Sequence, residues 1–221
     1  DIDTLREVAC LEAVEVHRAV VVLAVEAVPG TTAPCLTRTH RTSFITTRGI
    51  SDRDLERSGG LLLSLEPGDR TSLRLAVSTA AARGLLDGAT IGIVAPDAPQ
   101  RSDGVVEILL EALAERDLTA TVHQLGCEGT TTCRVGMETA VAGMLEVEVD
   151  LIFPLLDRTT LPWLVLEMMD QGMPEPTFVQ SGLDGQGLDA VASEVAEFGG
   201  PPAGTYYDGA WILDGSATGS H

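Results

Sequence analysis

Short runs of apolar residues alternate with amphipathic helical patterns along nearly all of the 221-residue chain, and this alternation constrains the fold more than any other feature. The apolar runs at residues 19–25 and 90–95 lack the polar alternation of half-buried strands, so we expect fully buried strands there. Buried strands separated by helices are typical of α/β proteins. The pattern therefore predicts an α/β protein built on parallel sheets.

The same pattern sets the limits of the individual elements. Residues 103–116 form the clearest helix, because Val106, Leu109 and Leu113 fall on one helical face. The polar residues 46–60 are predicted to form a loop. The other predicted helices lie at residues 3–17, 32–40, 71–85, 134–146, 161–171 and 188–198. The other predicted strands lie at residues 44–45, 61–65, 119–124, 150–155, 177–180 and 205–207.

A stretch rich in glycine and proline at residues 58–72 is the best candidate for a domain boundary. It divides the chain into a first α/β lobe at residues 1–66 and a second at residues 67–182. Residues 183–214 then form a return segment. Residues 215–221 are typical of a linker that runs into a truncated His tag, and we leave them out of the fold.

The charge balance excludes several classes of partner. The net charge is −19, all fourteen basic residues are Arg, and Lys and Asn do not occur, which fits either a GC-rich genome or a salt-adapted surface. A surface this acidic repels phosphate backbones and anionic lipid, so we expect no nucleic acid partner. No run of eighteen apolar residues occurs, so we expect no membrane span, and the chain opens without a signal segment.

The four cysteines fall into two separated pairs, which fits two disulfides in an oxidising compartment. We expect Cys10 to pair with Cys35 and Cys127 with Cys133, the second across a short loop that brings the Cα atoms within roughly 4.4–6.8 Å. Four buried free thiols are the alternative. The cysteine spacings fit no zinc pattern, so no metal site is expected.

The histidines and the common catalytic motifs point to no chemistry. His17, His40 and His123 are isolated from one another along the chain, and no Gly-x-Ser-x-Gly elbow or P-loop occurs. We therefore expect no catalytic residue and no cofactor, and the protein is predicted not to be an enzyme.

The order of the segments resembles the type I periplasmic binding proteins, especially those for branched-chain amino acids and amides. The resemblance extends from residue 4 to about residue 190. In the first lobe it depends on the apolar strand at residues 20–25 and the segments at 43–46, 49–55 and 61–67. In the second lobe it depends on residues 91–94 followed by Asp97 and Gly104, and on residues 150–153, 172–174 and 178–182.

This resemblance implies two Rossmann-like lobes with parallel sheets. The family begins with a further strand–helix unit and continues past the point that residue 221 matches, so the two lobes are expected to be incomplete. It also implies an extracytoplasmic protein, periplasmic or anchored at the cell surface. Such a protein captures a small polar solute, such as an amino acid or an amide, between its lobes for the membrane permease of an ABC-type importer. A ligand-sensing domain of a receptor or regulator has the same fold and is the alternative.

Three loops at the carboxyl ends of strands are candidate ligand contacts. The first carries Thr46, Gly49, Ile50 and Ser51, and the resemblance implies that the Ser51 hydroxyl and the Ile50 backbone bind the ligand's carboxylate. The second loop carries Asp97 and Ser102. The third carries Asp157 and Asp184, either of which is suited to a ligand ammonium. An ordinary solvated loop is the alternative for the first, and a helix N-cap at Ser102 or Asp103 for the second.

A dinucleotide-binding oxidoreductase is the alternative hypothesis from a different functional class. Residues 185–190 match the pattern GxGxxA and precede a predicted helix, and Asp208 follows about twenty residues later. However, the preceding strand is predicted to end near Gln180, and four residues separate it from Gly185, whereas the fingerprint needs its first glycine directly after the strand. We therefore favour the binding protein.

Overall fold

The computed structural model describes residues 2–24, 32–47, 50–65, 67–97, 104–128, 132–156, 160–181, 195, 197 and 211–213. These residues form two compact units: unit 1 contains the described residues up to Ser72, and unit 2 contains those from Leu73 onward. The lobe limits at residues 66, 182 and 214 stay predictions. Among the described residues, no helix combines the length and the hydropathy that a membrane crossing requires.

Unit 1 alternates helices and strands, and the helices predicted at residues 3–17 and 32–40 are confirmed. Its elements are α1 (Ile2–Leu11, continued by a π-helical turn at Glu12–Val16), β1 (Val21–Ala24), α2 (Thr32–Pro34, continued by a π-helical turn at Cys35–Thr39), β2 (Ser43–Thr46), α3 (Asp52–Arg57) and β3 (Leu62–Ser64). The helix α4 (Asp69–Ala82) begins in unit 1 and continues into unit 2.

The sheet of unit 1 consists of β1, β2 and β3 in that order, all parallel. Val22, Phe44 and Leu62 are register partners and form one row across the three strands. This inner row packs against Cys10 of α1 and Leu36 of α2. The chain moves across this sheet in one direction, from β1 to β2 to β3. Right-handed crossovers in such an arrangement place the connecting helices on one face of the sheet. The core of unit 1 therefore lies on that face.

The other face of this sheet contradicts the expectation that the strand at residues 19–25 is fully buried. Leu23, Ile45 and Leu63 are register partners in the outer row. Leu23 is 71% exposed and Leu63 is 54% exposed, and Val21 is 47% exposed. The expectation failed because an apolar run does not specify whether helices cover both faces, and here α1 and α2 pack on the same side.

The predicted loop at residues 46–60 contains the helix α3. Ser51 has a non-helical backbone, and its hydroxyl oxygen accepts a hydrogen bond from the Asp54 backbone N–H at 3.1 Å. The Ser51 hydroxyl also donates to Asp54 Oδ2 at 3.0 Å. A serine followed three residues later by an acidic residue is close to the capping-box pattern. The segment was predicted to be a loop because its composition is polar, whereas the Ser51 cap stabilises a helix there.

The start of α3 is linked to the start of α4. Asp52 Oδ2 accepts a hydrogen bond from the Arg70 backbone N–H at 2.7 Å. Gly68 makes this possible, because a Cβ at that position would lie 2.2 Å from Asp52 Oδ1. The carboxylate of Asp52 therefore satisfies one of the N–H groups that are left without a helical partner in the first turn of α4.

Unit 2 contains most of the helices and strands that the sequence predicts. Its elements after α4 are β4 (Ile91–Pro96), α5 (Val105–Ala114), β5 (Ala120–Glu128), β6 (Thr132–Val135), α6 (Met137–Glu146), β7 (Leu151–Pro154), α7 (Leu161–Asp170), β8 (Thr177–Ser181) and β9 (Trp211–Leu213). The predicted apolar faces are buried: Leu73 and Val77 in α4, Val141 and Met144 in α6, and Leu164 and Met168 in α7.

The sheet of unit 2 is covered on both faces. The strand order is β6-β5-β4-β7-β8-β9, with β6 antiparallel to β5 and every other pair parallel. The helices α4 and α5 pack on one face, against Ile91 and Ile93 of β4. The helices α6 and α7 pack on the other, against Val94. Every residue of β4 is buried, as expected for a central parallel strand.

The loop predicted between residues 124 and 134 is a hairpin. The strands β5 and β6 pair in antiparallel register, with Gly126 opposite Val135 and Glu128 opposite Thr132. A Cβ on Gly126 would lie 2.9 Å from the Cβ of Val135, so the two strands approach too closely for any other residue. The hairpin was missed because a cysteine pair at this spacing fits a loop as well as two paired strands.

Both predicted disulfides are confirmed, and they use all four cysteines. Cys10 of α1 and Cys35 of α2 have their Cα atoms 6.4 Å apart. The Cα atoms of Cys127 and Cys133 are 3.8 Å apart, which is below the expected range. Cys127 lies in β5 and Cys133 in β6, so this second disulfide joins the two strands of the hairpin.

Two of the predicted elements near the C-terminus fall largely or wholly outside the described residues. Of the helix predicted at residues 188–198, only residues 195 and 197 are described, and both are helical. The strand predicted at residues 205–207 lies entirely outside them. The sequence did not predict β9, which pairs with β8 through Val179–Trp211, Gln180–Ile212 and Ser181–Leu213.

Candidate functional site

The strand order of unit 2 contains a point at which the chain reverses direction across the sheet. From β4 the chain passes through α5 to β5 on one side, and later reaches β7 on the other side of β4. The helices that follow β4 and β7, α5 and α7, pack on opposite faces. The loops that leave these two strands therefore diverge. In open α/β sheets, the crevice between such loops is where ligands bind.

Asp97 is the described residue that begins the loop after β4, and its side chain is exposed. Its backbone N–H donates to the Leu125 carbonyl oxygen at 2.9 Å, which holds the backbone at this point against β5. The structure thus places the predicted Asp97 at the carboxyl edge of the sheet, in the position that the sequence suggested. Its role as a ligand contact stays a prediction.

The loop after β7 is anchored at both of its described ends. The Leu155 backbone N–H donates to the Val94 carbonyl oxygen at 2.8 Å, and Leu156 is buried. At the far end, Thr160 is buried directly before α7, and its hydroxyl oxygen accepts from the Cys133 backbone N–H at 3.4 Å. This contact ties the start of α7 to the hairpin. The two ends of the loop are therefore fixed by the sheet and by the hairpin.

Gln180 is a further candidate at this edge that the sequence did not single out. It lies near the carboxyl end of β8, and only 9% of it is exposed. A carboxamide offers two N–H donors and a carbonyl acceptor, and burying such a group is costly unless it is hydrogen-bonded. The available signal was a polar residue directly after Phe178 and Val179, at the end of the predicted strand. A buried amide at this edge is suited to orient a polar ligand.

A cation and an aromatic ring lie beside the hairpin. The Arg134 guanidinium carbon is 3.7 Å from the centre of the Trp163 ring, which is the geometry of a cation–π contact. Arg134 belongs to β6 and Trp163 to α7, so this contact adds to the Thr160 hydrogen bond in joining the hairpin to the helix. The sequence could not indicate it, because the two residues are far apart along the chain.

The first predicted loop lies in unit 1, in the connection between β2 and α3. Thr46 is buried at the carboxyl end of β2, and Ile50 packs against the core of unit 1. The Ser51 hydroxyl uses its only proton on Asp54 Oδ2. It therefore cannot donate to a ligand carboxylate while that bond is present. The structure brings Thr46, Ile50 and Ser51 into one connection, and their binding role stays a prediction.

The remaining predicted contacts lie outside the described residues. These are Gly49, Ser102, Asp157 and Asp184. The glycine-rich segment at residues 185–190 and Asp208, on which the dinucleotide alternative depended, lie outside them as well.

His123 is the described side chain with a clear pKa shift. It lies in the middle of β5, where its ring contacts the position of Gly143 in α6 and its Nε2 is 3.0 Å from the Thr121 hydroxyl oxygen. Desolvation by burial lowers its pKa below the usual value of 6.5. Burial of the ring against α6, rather than exposure at the surface, therefore accounts for the lowered pKa.

No protein-family model matches the sequence, and no curated protein matches it. Solved structures do match. A solute-binding protein of an ABC transporter from R. palustris, in complex with 4-hydroxybenzoate, has a TM-score of 0.62 at 11% sequence identity. A leucine-binding protein from Thermotoga maritima has a TM-score of 0.67 at 12% identity. An extracellular ligand-binding receptor from Verminephrobacter eiseniae has a TM-score of 0.57 at 9% identity.

These three matches cover most of this chain but only part of the other proteins. They cover 92%, 90% and 90% of this chain, against 63%, 53% and 54% of the respective matched chains. The chain therefore spans less than two thirds of their length. At this level of identity the likeness shows the fold alone, which is the fold of the type I periplasmic binding proteins.

Proposed function

We propose that this protein is an extracytoplasmic solute-binding protein that captures a small polar solute without chemical change and delivers it to the permease of an ABC-type importer. The observation that carries the proposal is the carboxyl edge of the unit 2 sheet, where Asp97 is exposed directly after β4 and Gln180 is buried near the end of β8. A sheet sealed on both faces holds these groups in place, which lowers the entropic cost of binding.

The solute is proposed to be an amino acid or an amide-like molecule. The matched proteins support a small carboxylic acid, since 4-hydroxybenzoate and leucine each carry a carboxylate. The buried Gln180 amide is suited to such a group, because it donates without adding a charge that would have to be desolvated. Asp97, with Asp157 and Asp184 as further candidates, is suited to the ammonium group of an amino acid.

Unit 1 is proposed to contribute the loop that carries Thr46, Gly49, Ile50 and Ser51. The backbone of this loop is the better candidate for the solute's carboxylate, because the Ser51 hydroxyl is engaged by Asp54. If Ser51 donates to a solute, it must first give up its bond to the Asp54 carboxylate, while it can still accept from the Asp54 backbone N–H. The hydroxyl therefore adds little to the affinity.

The extracytoplasmic location is supported by the cysteines. Both pairs are disulfide-bonded, and structural disulfides persist mainly in oxidising compartments. Because the surface is strongly acidic, it does not attract anions by a general positive field. We therefore expect any anionic solute to be bound by directed hydrogen bonds.

The proposal is tested with the chain purified under native conditions without refolding. Native mass spectrometry is used to look for a retained solute, and calorimetry measures binding of L-leucine and 4-hydroxybenzoate as probes. We expect at least one of these measurements to show binding. Removing a hydrogen-bonding partner from a desolvated polar ligand costs about 1–3 kcal/mol, so Gln180→Leu should weaken binding roughly five- to hundredfold.

Asp87→Ala is the matched control for Asp97→Ala. Asp87 is also exposed, but it precedes β4 and so lies at the amino edge of the sheet. For a solute that carries an ammonium group, Asp97→Ala should weaken binding and Asp87→Ala should not. The proposed function is wrong if no solute is retained and neither probe binds. If a solute binds with unchanged affinity to Gln180→Leu and Asp97→Ala, the assigned edge is wrong.

A further inference from the structure

Three side chains that commonly bind metals converge in unit 1. The Sγ atoms of Cys10 and Cys35 and a ring nitrogen of His40 all lie within 4.8 Å of one another. Cys10 is buried, whereas Cys35 and His40 are half-buried. The sequence did not reveal this cluster, because Cys10 is 25 residues from Cys35 and no zinc-type spacing connects them.

The fold brings these residues together through two separate contacts. The helices α1 and α2 pack on the same face of the sheet, and Cys10 and Cys35 lie at their junction. His40 ends the helix that carries Cys35, since its backbone N–H donates to the Cys35 carbonyl oxygen at 3.1 Å. The position of the imidazole relative to Cys35 is therefore set by the backbone rather than by a flexible loop.

The disulfide controls whether this cluster can bind a metal. While Cys10 and Cys35 are bonded to each other, their sulfurs carry no charge and bind metals poorly. A dithiol reductant supplies two electrons and two protons to the S–S bond and is itself oxidised to a cyclic disulfide, which leaves two protein thiols. Two thiolates and a neutral imidazole then form a soft ligand set that favours Zn²⁺.

We propose that the reduced protein binds one Zn²⁺ ion through Cys10, Cys35 and His40, and that the disulfide excludes the ion from the oxidised protein. Binding forms two Zn–S bonds and one Zn–N bond and releases the two thiol protons to solvent. The half-buried Cys35 and His40 leave the fourth position open to a water molecule. The ion would connect α1 to α2 in place of the disulfide.

The ligand distances are compatible with this ion after a small side-chain movement. Two Zn–S bonds of about 2.3 Å at a tetrahedral angle place the sulfurs roughly 3.8 Å apart. Reduction frees the sulfurs to separate by rotation about χ1, which takes place between discrete rotamers. The Cα atoms of the two cysteines are 6.4 Å apart and need not move for this separation.

The test uses the full chain with Cys127→Ser and Cys133→Ser, so that the Cys10–Cys35 pair is the only source of thiols. The protein is compared in the oxidised form and after reduction by a phosphine, and Zn²⁺ is titrated in competition with a chromogenic chelator. We expect one Zn²⁺ per reduced chain and at least roughly hundredfold weaker binding to the oxidised chain. Substituted Co²⁺ should show the absorption of tetrahedral thiolate coordination.

His40→Gln and His17→Gln separate the proposed site from nonspecific thiol binding. His17 ends the π-helical turn after α1 in the way that His40 ends the turn after α2, since its backbone N–H donates to the Glu12 carbonyl oxygen. Its Nε2 lies 3.7 Å from Glu12 Oε1 instead of near a cysteine. We expect His40→Gln to weaken Zn²⁺ binding at least roughly tenfold and His17→Gln to leave it unchanged. Neither substitution removes the disulfide, so both variants can be checked for folding in the oxidised form.

Two outcomes would overturn the proposal. The first is a reduced chain that binds no Zn²⁺ at micromolar concentration while its circular dichroism shows that it remains folded. The second is a His40→Gln variant that binds Zn²⁺ as tightly as the parent. If the reduced chain unfolds without metal, recovery of the native spectrum on adding Zn²⁺ supports the site, and failure to recover contradicts it.

Discussion

The two sheets of this protein are both built from parallel strands, yet they are buried in different ways. In unit 2, every residue of β4 is buried because α4 and α5 cover one face and α6 and α7 cover the other. In unit 1, α1 and α2 cover one face, while Leu23 and Leu63 on the other are largely exposed. Among the described residues, the sheet of unit 1 is therefore covered on one face and the sheet of unit 2 on both.

The helices of unit 1 are stabilised by covalent and polar contacts near their ends. The Cys10–Cys35 disulfide joins α1 to α2, the Ser51–Asp54 pair caps α3, and the Asp52 carboxylate caps α4. A small core that is marginal by itself is commonly supplemented by disulfides. Unit 2 has its own disulfide, but that bond closes a hairpin at the edge of the sheet instead of joining core helices.

Leu62 and Leu63 in β3 offer the largest expected contrast between a covered and an exposed face. Leu62 is 6% exposed and belongs to the core of unit 1, whereas Leu63 is 54% exposed in the outer row. Leu62→Ala should lower the free energy of unfolding by about 2–5 kcal/mol, because it leaves a cavity. Leu63→Ala should change it by less than about 1 kcal/mol. Equal effects in denaturant unfolding would mean that the outer face is buried in solution.

Removing the disulfides one at a time compares the connections of the two units. Cys10 and Cys35 are separated by 25 residues in sequence and Cys127 and Cys133 by six. By loop-closure entropy, the double serine substitution should cost roughly 3.5 kcal/mol for the first pair and roughly 2 kcal/mol for the second. Denaturant titration of both variants checks the order. A larger loss for Cys127→Ser/Cys133→Ser would show that the hairpin, and not unit 1, depends more on its disulfide.

The helices of unit 2 could be predicted from the sequence because each carries its own apolar periodicity. Leu164, Val165 and Met168 mark one face of α7, and all three are buried. The disulfide pairings were also predictable, since neighbouring helices and a short loop leave few other partners for the cysteines. These features depend on residues close together in the chain, so local patterns contain the needed information.

The features that were missed depend on contacts or on coverage that local patterns do not record. The apolar run of β1 looks the same whether one face or both faces are covered, so its burial was overestimated. The helix α3 was hidden by its polar composition, although Ser51 and Asp54 had the spacing of a cap. Gln180 and the Cys10–Cys35–His40 cluster became visible only once the strands and helices were placed in space.

Native-state hydrogen exchange of β2 and β4 tests most directly the claim that the two sheets differ in burial. The Phe44 backbone N–H in β2 donates to the Leu61 carbonyl oxygen at 2.7 Å, and the Ile93 amide lies in the centre of β4. Amides are exposed to exchange by local opening, which is easier where fewer apolar contacts must be broken. The account predicts that the Phe44 amide exchanges at least roughly tenfold faster than the Ile93 amide, with both disulfides intact. Equal protection of the two amides would contradict it.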